Sequence, residues 1–166
     1  EAAATFDTFN IDLMYALPGQ TLDMLRQDVD VALSLAPNHL SIYHLTIEPN
    51  TFFAKYPPDT VEDDLAADML DLITEMTSSS GLQRYEVSAY AKAGHASAHN
   101  VNYWRFGDYL GIGAGAHSKL SFAHRVVRQV RTRHPELYMT QALLGQCIAV
   151  DEDVKRKDLP FEFMLN

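Results

Sequence analysis

Cysteine is nearly missing from this 166-residue chain. Cys147 is the only one, which excludes an intrachain disulfide, a CxxC redox pair and any cluster site built from this chain's thiols alone. It lies within Ala142-Leu143-Leu144-Gly145-Gln146-Cys147-Ile148, where a buried, inert thiol is the expectation. Long apolar runs are missing too. None approaches the roughly 18 residues that span a bilayer, and the N-terminus is acidic and Ala-rich rather than basic and apolar, unlike a signal peptide. A reducing, cytoplasmic setting is expected. Basic residues are few, 13 against 22 acidic ones for a net charge of −9, so a general phosphate-backbone binder is excluded and no nucleic-acid partner is expected. The one basic cluster is Arg125, Arg128, Arg131 and Arg133 with His124 and His134. It reads as a strand with a solvated basic face, with a carboxylate-rich ligand as the alternative. Internal repeats and low-complexity linkers are also absent.

What remains is a globular composition, 47% apolar and 21% charged, in a chain long enough to bury a core. Residues 8–14 alternate and run into Ala16-Leu17-Pro18-Gly19, a strand ending in a turn. Thr21 is an N-cap for a helix whose Leu22, Leu25, Val29, Ala32, Leu33 and Ala36 share a face before Pro37. Residues 40–46 predict a second strand, and Glu48-Pro49-Asn50-Thr51 opens a loop with Pro57 and Pro58. A second helix over about 61–77 turns Leu65, Met69, Leu72, Ile73 and Met76 inward. Strand–helix–strand–helix is the pattern of βαβ units in a parallel sheet.

After Gly81 the pattern changes. Residues 84–90 predict a third strand, and residues 125–131 the basic one. A helix follows over about 135–144, then a short one with Pro160 at its start and Phe161, Met164 and Leu165 on one face. The chain is therefore divided at 1–80, 81–134 and 135–166, with both ends reading as cuts through a larger protein.

Two blocks stand out. His99-Asn100-Val101-Asn102-Tyr103-Trp104 sets an imidazole beside the only Trp, and Gly111-Ile112-Gly113-Ala114-Gly115-Ala116-His117-Ser118 strings small residues along an apolar run. Glycine at that density is costly in a core strand. The block is either a tight bend or a place where backbone approaches something large and flat. In parallel α/β folds ligands gather at the C-terminal strand ends. Asp12, late in the first strand between Ile11 and Leu13, would need hydroxyls, N–H groups or a cation if buried there. It binds a ribose diol or an amine, or else serves a local turn. Thr46 and His44 are expected to line the same mouth. His95 and His99 are spaced i, i+4, but Gly94 before them and Ala96-Ser97-Ala98 between them argue against a stable shared helix; with Asp12 they would nonetheless form a metal site, as in barrel hydrolases.

The run Asn10-Ile11-Asp12-Leu13-Met14-Tyr15-Ala16-Leu17-Pro18-Gly19-Gln20-Thr21 resembles the oxygen-independent coproporphyrinogen oxidase family of radical S-adenosylmethionine (SAM) proteins. Residues 40–51, 85–91, 99–119 and 161–166 extend the resemblance over nearly all of the chain from Phe9. His99-Asn100-x-x-Tyr103-Trp104 is similar to the heme-chaperone branch rather than the porphyrinogen-decarboxylating one. The resemblance implies the second half of an open (β/α)6 partial barrel with accessory strands and a truncated C-terminal helical domain. It implies Asp12 as the carboxylate on the SAM ribose, Met14 and Thr46 lining the nucleoside, and His99 as a heme ligand. Its implied cofactors are SAM and a [4Fe-4S] cluster, with heme or porphyrin bound. Its implied partners are heme-receiving respiratory proteins, with peripheral membrane contact. Ala16 stands where the family usually has Gly, and Ala114 where Cys is frequent. The CxxxCxxC triad that holds the cluster is absent, so radical chemistry by this chain alone is not expected.

Overall fold

The computed structural model describes residues 1–164, and the chain forms two compact units, Glu1–Ser97 and Ala98–Asn166. The sequence boundaries at 80/81 and 134/135 fall elsewhere, because residues beyond 80 complete the first unit's sheet. That unit runs α1 (Ala2–Thr5), β1 (Asn10–Tyr15), α2 (Leu22–Ser34), β2 (His39–His44), α3 (Phe52–Lys55), α4 (Asp63–Ser79), β3 (Gln83–Arg84) and β4 (Ala89–Ala91). β1 and β2 are adjacent and parallel, as the strand–helix–strand pattern requires. Thr21 caps α2, its hydroxyl accepting from Met24 N–H at 3.3 Å. Leu25, Val29 and Ala32 of α2 and Met69, Leu72 and Ile73 of α4 are buried with Leu40, Ile42 and Tyr90 in one core.

Both long helices therefore lie on one face of the sheet, the face of Ile11, Leu13 and Tyr15. By strand alternation the opposite face carries Asn10, Asp12 and Met14 of β1, beside their register partners His39, Ser41 and Tyr43 of β2. Ala16, where β1 turns, sits at φ +58°, in the left-handed region that costs a residue with a Cβ about 1–2 kcal/mol. Glycine takes that conformation without strain.

Three expectations for this unit need correction. A short helix, α1, precedes β1, ahead of the first expected element. Residues 84–90 are not one strand but two short ones around a turn, and β4 runs antiparallel to both β2 and β3. Local polar bonds win over alternation there. Tyr85 N–H donates to Ala89 O at 3.0 Å, Arg84 donates to Val87 O at 2.8 Å, and the Glu86 carboxylate accepts from Ser88 N–H at 2.7 Å. β2 also ends at His44, two residues short of Thr46.

The second unit runs α5 (Ala98–Trp104), β5 (His117–Ser121), β6 (Val126–Arg131), α6 (Pro135–Leu143), β7 (Ile148–Asp153) and α7 (Leu159–Met164). Its sheet is antiparallel in the order β5-β6-β7. The basic strand and the helix from Pro135 are as expected, whereas α5 and β7 were not. β7 is exposed at all six positions, so it has no inward face to generate a periodic signal. α7 contains Phe161 and Met164; Leu165, expected on the same face, lies outside the described residues. Among the described residues no helix is long and apolar enough to cross a membrane.

The glycine block is a bend rather than a strand. A Cβ on Gly111 would lie 2.2 Å from His117 O, so the close neighbour that demands glycine is the chain's own backbone. Gly113 and Gly115 adopt φ +113° and +70°, which only glycine takes without strain. Of the two readings offered by the sequence, the tight bend is the one found.

Lys119 organises this unit from inside. Its side chain is 1% exposed, and Nζ donates to Phe106 O and to Asp108 Oδ1, each at 2.8 Å. The ammonium also lies 4.0 Å from the centre of the Phe106 ring, where a cation is attracted to the aromatic face. Lys119 and Ser121 together hold the Asp108 carboxyl down at about 2, against an ordinary 3.8. A carboxylate depressed on folding contributes stability above its unfolded value, and that contribution is lost as the pH falls through about 2. Lys119→Met is expected to destabilise the chain by about 1.5–3 kcal/mol, the range for hydrogen bonds to a charged group, as measured by urea unfolding. No change in midpoint would refute this role for the ammonium.

Candidate functional site on the open sheet face

On the sheet face away from the helices a row of polar groups is joined by hydrogen bonds. Asn10 Nδ2 donates to Asp12 Oδ1 at 2.7 Å. The Asn10 carbonyl oxygen meets His39 Nδ1 at 2.7 Å and accepts from the Ser41 hydroxyl at 3.2 Å. His39 Nε2 lies 2.5 Å from the Tyr85 hydroxyl, and Ser97 N–H donates to that hydroxyl oxygen at 3.0 Å. The direction of every link follows from its ends. A carboxylate only accepts, so Asn10 must present its NH2 to Asp12 and its oxygen to His39. His39 therefore carries its proton on Nδ1, which leaves Nε2 to accept from Tyr85 O–H. Burial lowers the His39 pKa below 6.5, against the opposing charges of Asp12 and Glu86, and keeps the ring neutral as this pattern needs.

Asp12 itself is exposed. It is not a buried carboxylate in need of a partner, because the helices cover the other face. Among the described residues nothing donates to Oδ2, so one carboxylate oxygen is tethered and the other is available. Met14, 44% exposed, lies next along the same face, beside Tyr43 in register. Thr46 lies in the loop after β2 and is exposed, its hydroxyl donating to His44 O at 3.4 Å. His44 does not join Asp12. It pairs with Tyr15 on the helix-covered face, the two rings 5.1 Å apart. Asn10, His39 and Tyr85 were missed from sequence, where His39 was one histidine among seven. Only the strand register, which sets Asn10 beside His39, brings them together.

His99 is exposed on α5, its ring edge-on to Tyr103 at 4.7 Å, and Tyr103 stacks 4.6 Å from Tyr109. His117, at the start of β5, is also exposed. His95 precedes α5 and is not helical, so its i, i+4 spacing to His99 does not make a shared helix face. Among the described residues no three His, Cys, Asp or Glu are grouped to hold a metal ion, and the His95–His99–Asp12 metal site is not formed. Cys147 is buried as expected, with Arg131 Nη1 donating to its sulfur at 3.0 Å. One thiol does not hold a [4Fe-4S] cluster, so the residues of this chain do not fit that group. The basic cluster is solvated at His124, Arg125, Arg133 and His134 but not at Arg128 and Arg131. Arg128 is paired with Glu162 and Tyr109, and Arg131 Nε donates to Gly111 O at 2.6 Å.

No family model matches the chain. It is 46% identical to the heme chaperone HemW of Escherichia coli (strain K12) over 160 residues, which is 96% of this chain and 41% of that protein. It is 47% identical, over the same shares, to the heme chaperone HemW of Haemophilus influenzae. The chain thus spans about two-fifths of the length of these relatives. A solved structure, coproporphyrinogen III oxidase (HemN) from Escherichia coli, a radical SAM enzyme, superposes with a TM-score of 0.75 at 20% identity, over 98% of this chain and 40% of that one. That likeness shows the α/β fold.

A histidine whose pKa is lowered on folding contributes stability above its unfolded value, and the contribution is lost as the pH falls through the folded one. The His39 ring is therefore expected to titrate below 6.5 in an NMR titration. Stability should decline on acidification from neutral more steeply in the wild type than in His39→Gln. A midpoint at or above 6.5 would refute the buried, neutral assignment.

Proposed function

We propose that the chain is part of a heme-binding and heme-delivery protein of the radical SAM family, like the heme chaperone HemW relatives that it matches over 41% of their length, and that its open sheet face takes the nucleoside of SAM. The observation that carries the site is the Asp12 carboxylate, tethered at Oδ1 by Asn10 and open at Oδ2. A carboxylate so held accepts both hydroxyls of a vicinal diol, and Met14 beside it offers an apolar surface. Thr46, in the loop following β2, is proposed to line the nucleoside. In this family SAM supplies radical chemistry together with a reduced [4Fe-4S] cluster. The single Cys147 does not hold that cluster, so the part assigned to this chain is binding and orientation. The likeness to HemN supports the fold and not a shared activity.

Heme is proposed to be ligated by His99. Its exposed imidazole on α5, with Tyr103 and Trp104 nearby in the helix, is a standard axial-ligand type for heme iron. The bend at residues 111–116 is folded against its own backbone, so the support for this site comes from α5 and not from the glycines. Heme-receiving respiratory proteins are the proposed recipients, reached from the cytoplasm with peripheral contact at the membrane surface.

Two measurements test this reading. Asp12→Ala is expected to weaken SAM binding by about 1.5–3 kcal/mol in a titration while heme binding survives; equal loss of both would indicate a folding role. His99→Ala is expected to abolish the six-coordinate Soret spectrum of added ferric heme, whereas His117→Ala should not. An unchanged spectrum in His99→Ala would remove that residue from the heme site.

A further inference from the structure

We propose that His39 and Tyr85 are positioning residues for the Asp12 carboxylate, acting through Asn10. The inference rests on the reading of Asp12 as the ribose carboxylate. The geometry is a one-way series of donors. Ser97 N–H points to the Tyr85 oxygen, Tyr85 O–H to His39 Nε2, His39 Nδ1–H to the Asn10 oxygen, and the Asn10 NH2 to Asp12 Oδ1. Each group has two possible orientations, and the series admits one of them. If the proton of His39 moved to Nε2, Nδ1 would become an acceptor facing the Asn10 oxygen. Asn10 would then have to turn, setting its carbonyl against the Asp12 carboxylate. The Asp12 carboxylate can only accept, so it anchors the polarity of the row, and Ser97 N–H meets the Tyr85 oxygen at the other end.

The packing agrees with this role. His39 and Ser41 are buried at 7% and 8% exposure, and their neighbours across β4, Ala91 and Ala89, carry no polar group. The charged groups acting on His39 are Asp12 from β1 and Glu86 from the β3–β4 turn, both acidic. They favour an imidazolium, yet burial keeps the ring below its ordinary value. A neutral histidine has two tautomers of similar energy in water, and here Asn10 and Tyr85 together hold the Nδ1–H form. Asp12 thereby receives a fixed donor on one oxygen and turns the other to the open face, before any ligand arrives. Fixing an acceptor in advance reduces the ordering cost of binding.

Imidazole 15N NMR and SAM titrations test this on the 166-residue chain. The wild type is expected to show His39 as the Nδ1–H tautomer. Tyr85→Phe, which keeps the ring, is expected to shift the tautomer toward Nε2–H and to weaken SAM binding about three- to tenfold. In an Asn10→Ala background the same Tyr85→Phe change is expected to have no further effect on SAM affinity, because the connection to Asp12 is already cut. Role as mere packing predicts additive losses instead. An Nε2–H wild-type tautomer, additive losses, or SAM affinity unmoved by Tyr85→Phe while Asp12→Ala weakens it would overturn the inference. SAM affinity unmoved by Asp12→Ala overturns the ribose reading, and the inference with it, so the two failures are told apart.

Discussion

The parallel register of β1 and β2 is the constraint on which the polar face depends. It sets Asn10 against His39, Asp12 against Ser41 and Met14 against Tyr43. Side chains alternate along a strand, so a slip of one residue would exchange the faces, sending Asp12 into the helix-covered core and Ile11 to the open side. The buried Leu40 and Ile42, packed against α2 and α4, make that slip costly. The apolar face thus holds the polar face in register, and the carboxylate can stay exposed without losing its orientation.

The two units handle buried polar groups by the same rule with different chemistry. In the first, a neutral imidazole is satisfied at both nitrogens, by Asn10 and Tyr85. In the second, a buried ammonium is satisfied by backbone carbonyl, carboxylate and aromatic face. Each arrangement ties a loop to a strand. Tyr85 fastens the β3–β4 turn over His39, and Lys119 fastens residues 106–108 onto β5. A buried donor left unmet costs more than the bond itself contributes, so these residues specify loop position more strongly than an apolar contact would.

The arginines of β6 show how misleading a charge run can be. From spacing alone they form a basic stripe open to solvent or to an acidic ligand. In the fold, Arg128 is consumed by Glu162 and Tyr109. Arg131 is consumed by Gly111 and Cys147. The partners lie 16 to 34 residues away in the chain, beyond the reach of any local pattern.

What the sequence determined by itself was everything carried by period and composition. The β1–α2–β2 unit, the α4 helix and the β6 strand were legible because each has an inward face that repeats at a helical or strand spacing. Asp12 was singled out by its place late in the first strand, and His99 by its motif. The tertiary structure decided the rest. It alone exposed Asp12, since which face the helices cover is a packing outcome. It alone joined Asn10, His39 and Tyr85, whose separations of 29 and 46 residues are bridged only by strand register and by the turn after β3. It broke residues 84–90 into two strands, because Arg84 and Glu86 bond to the nearby backbone more favourably than an extended chain allows. It revealed β7, whose six exposed residues leave no hydrophobic period to read. Local sequence encodes which face of an element is apolar, and only the packed fold determines what stands opposite it.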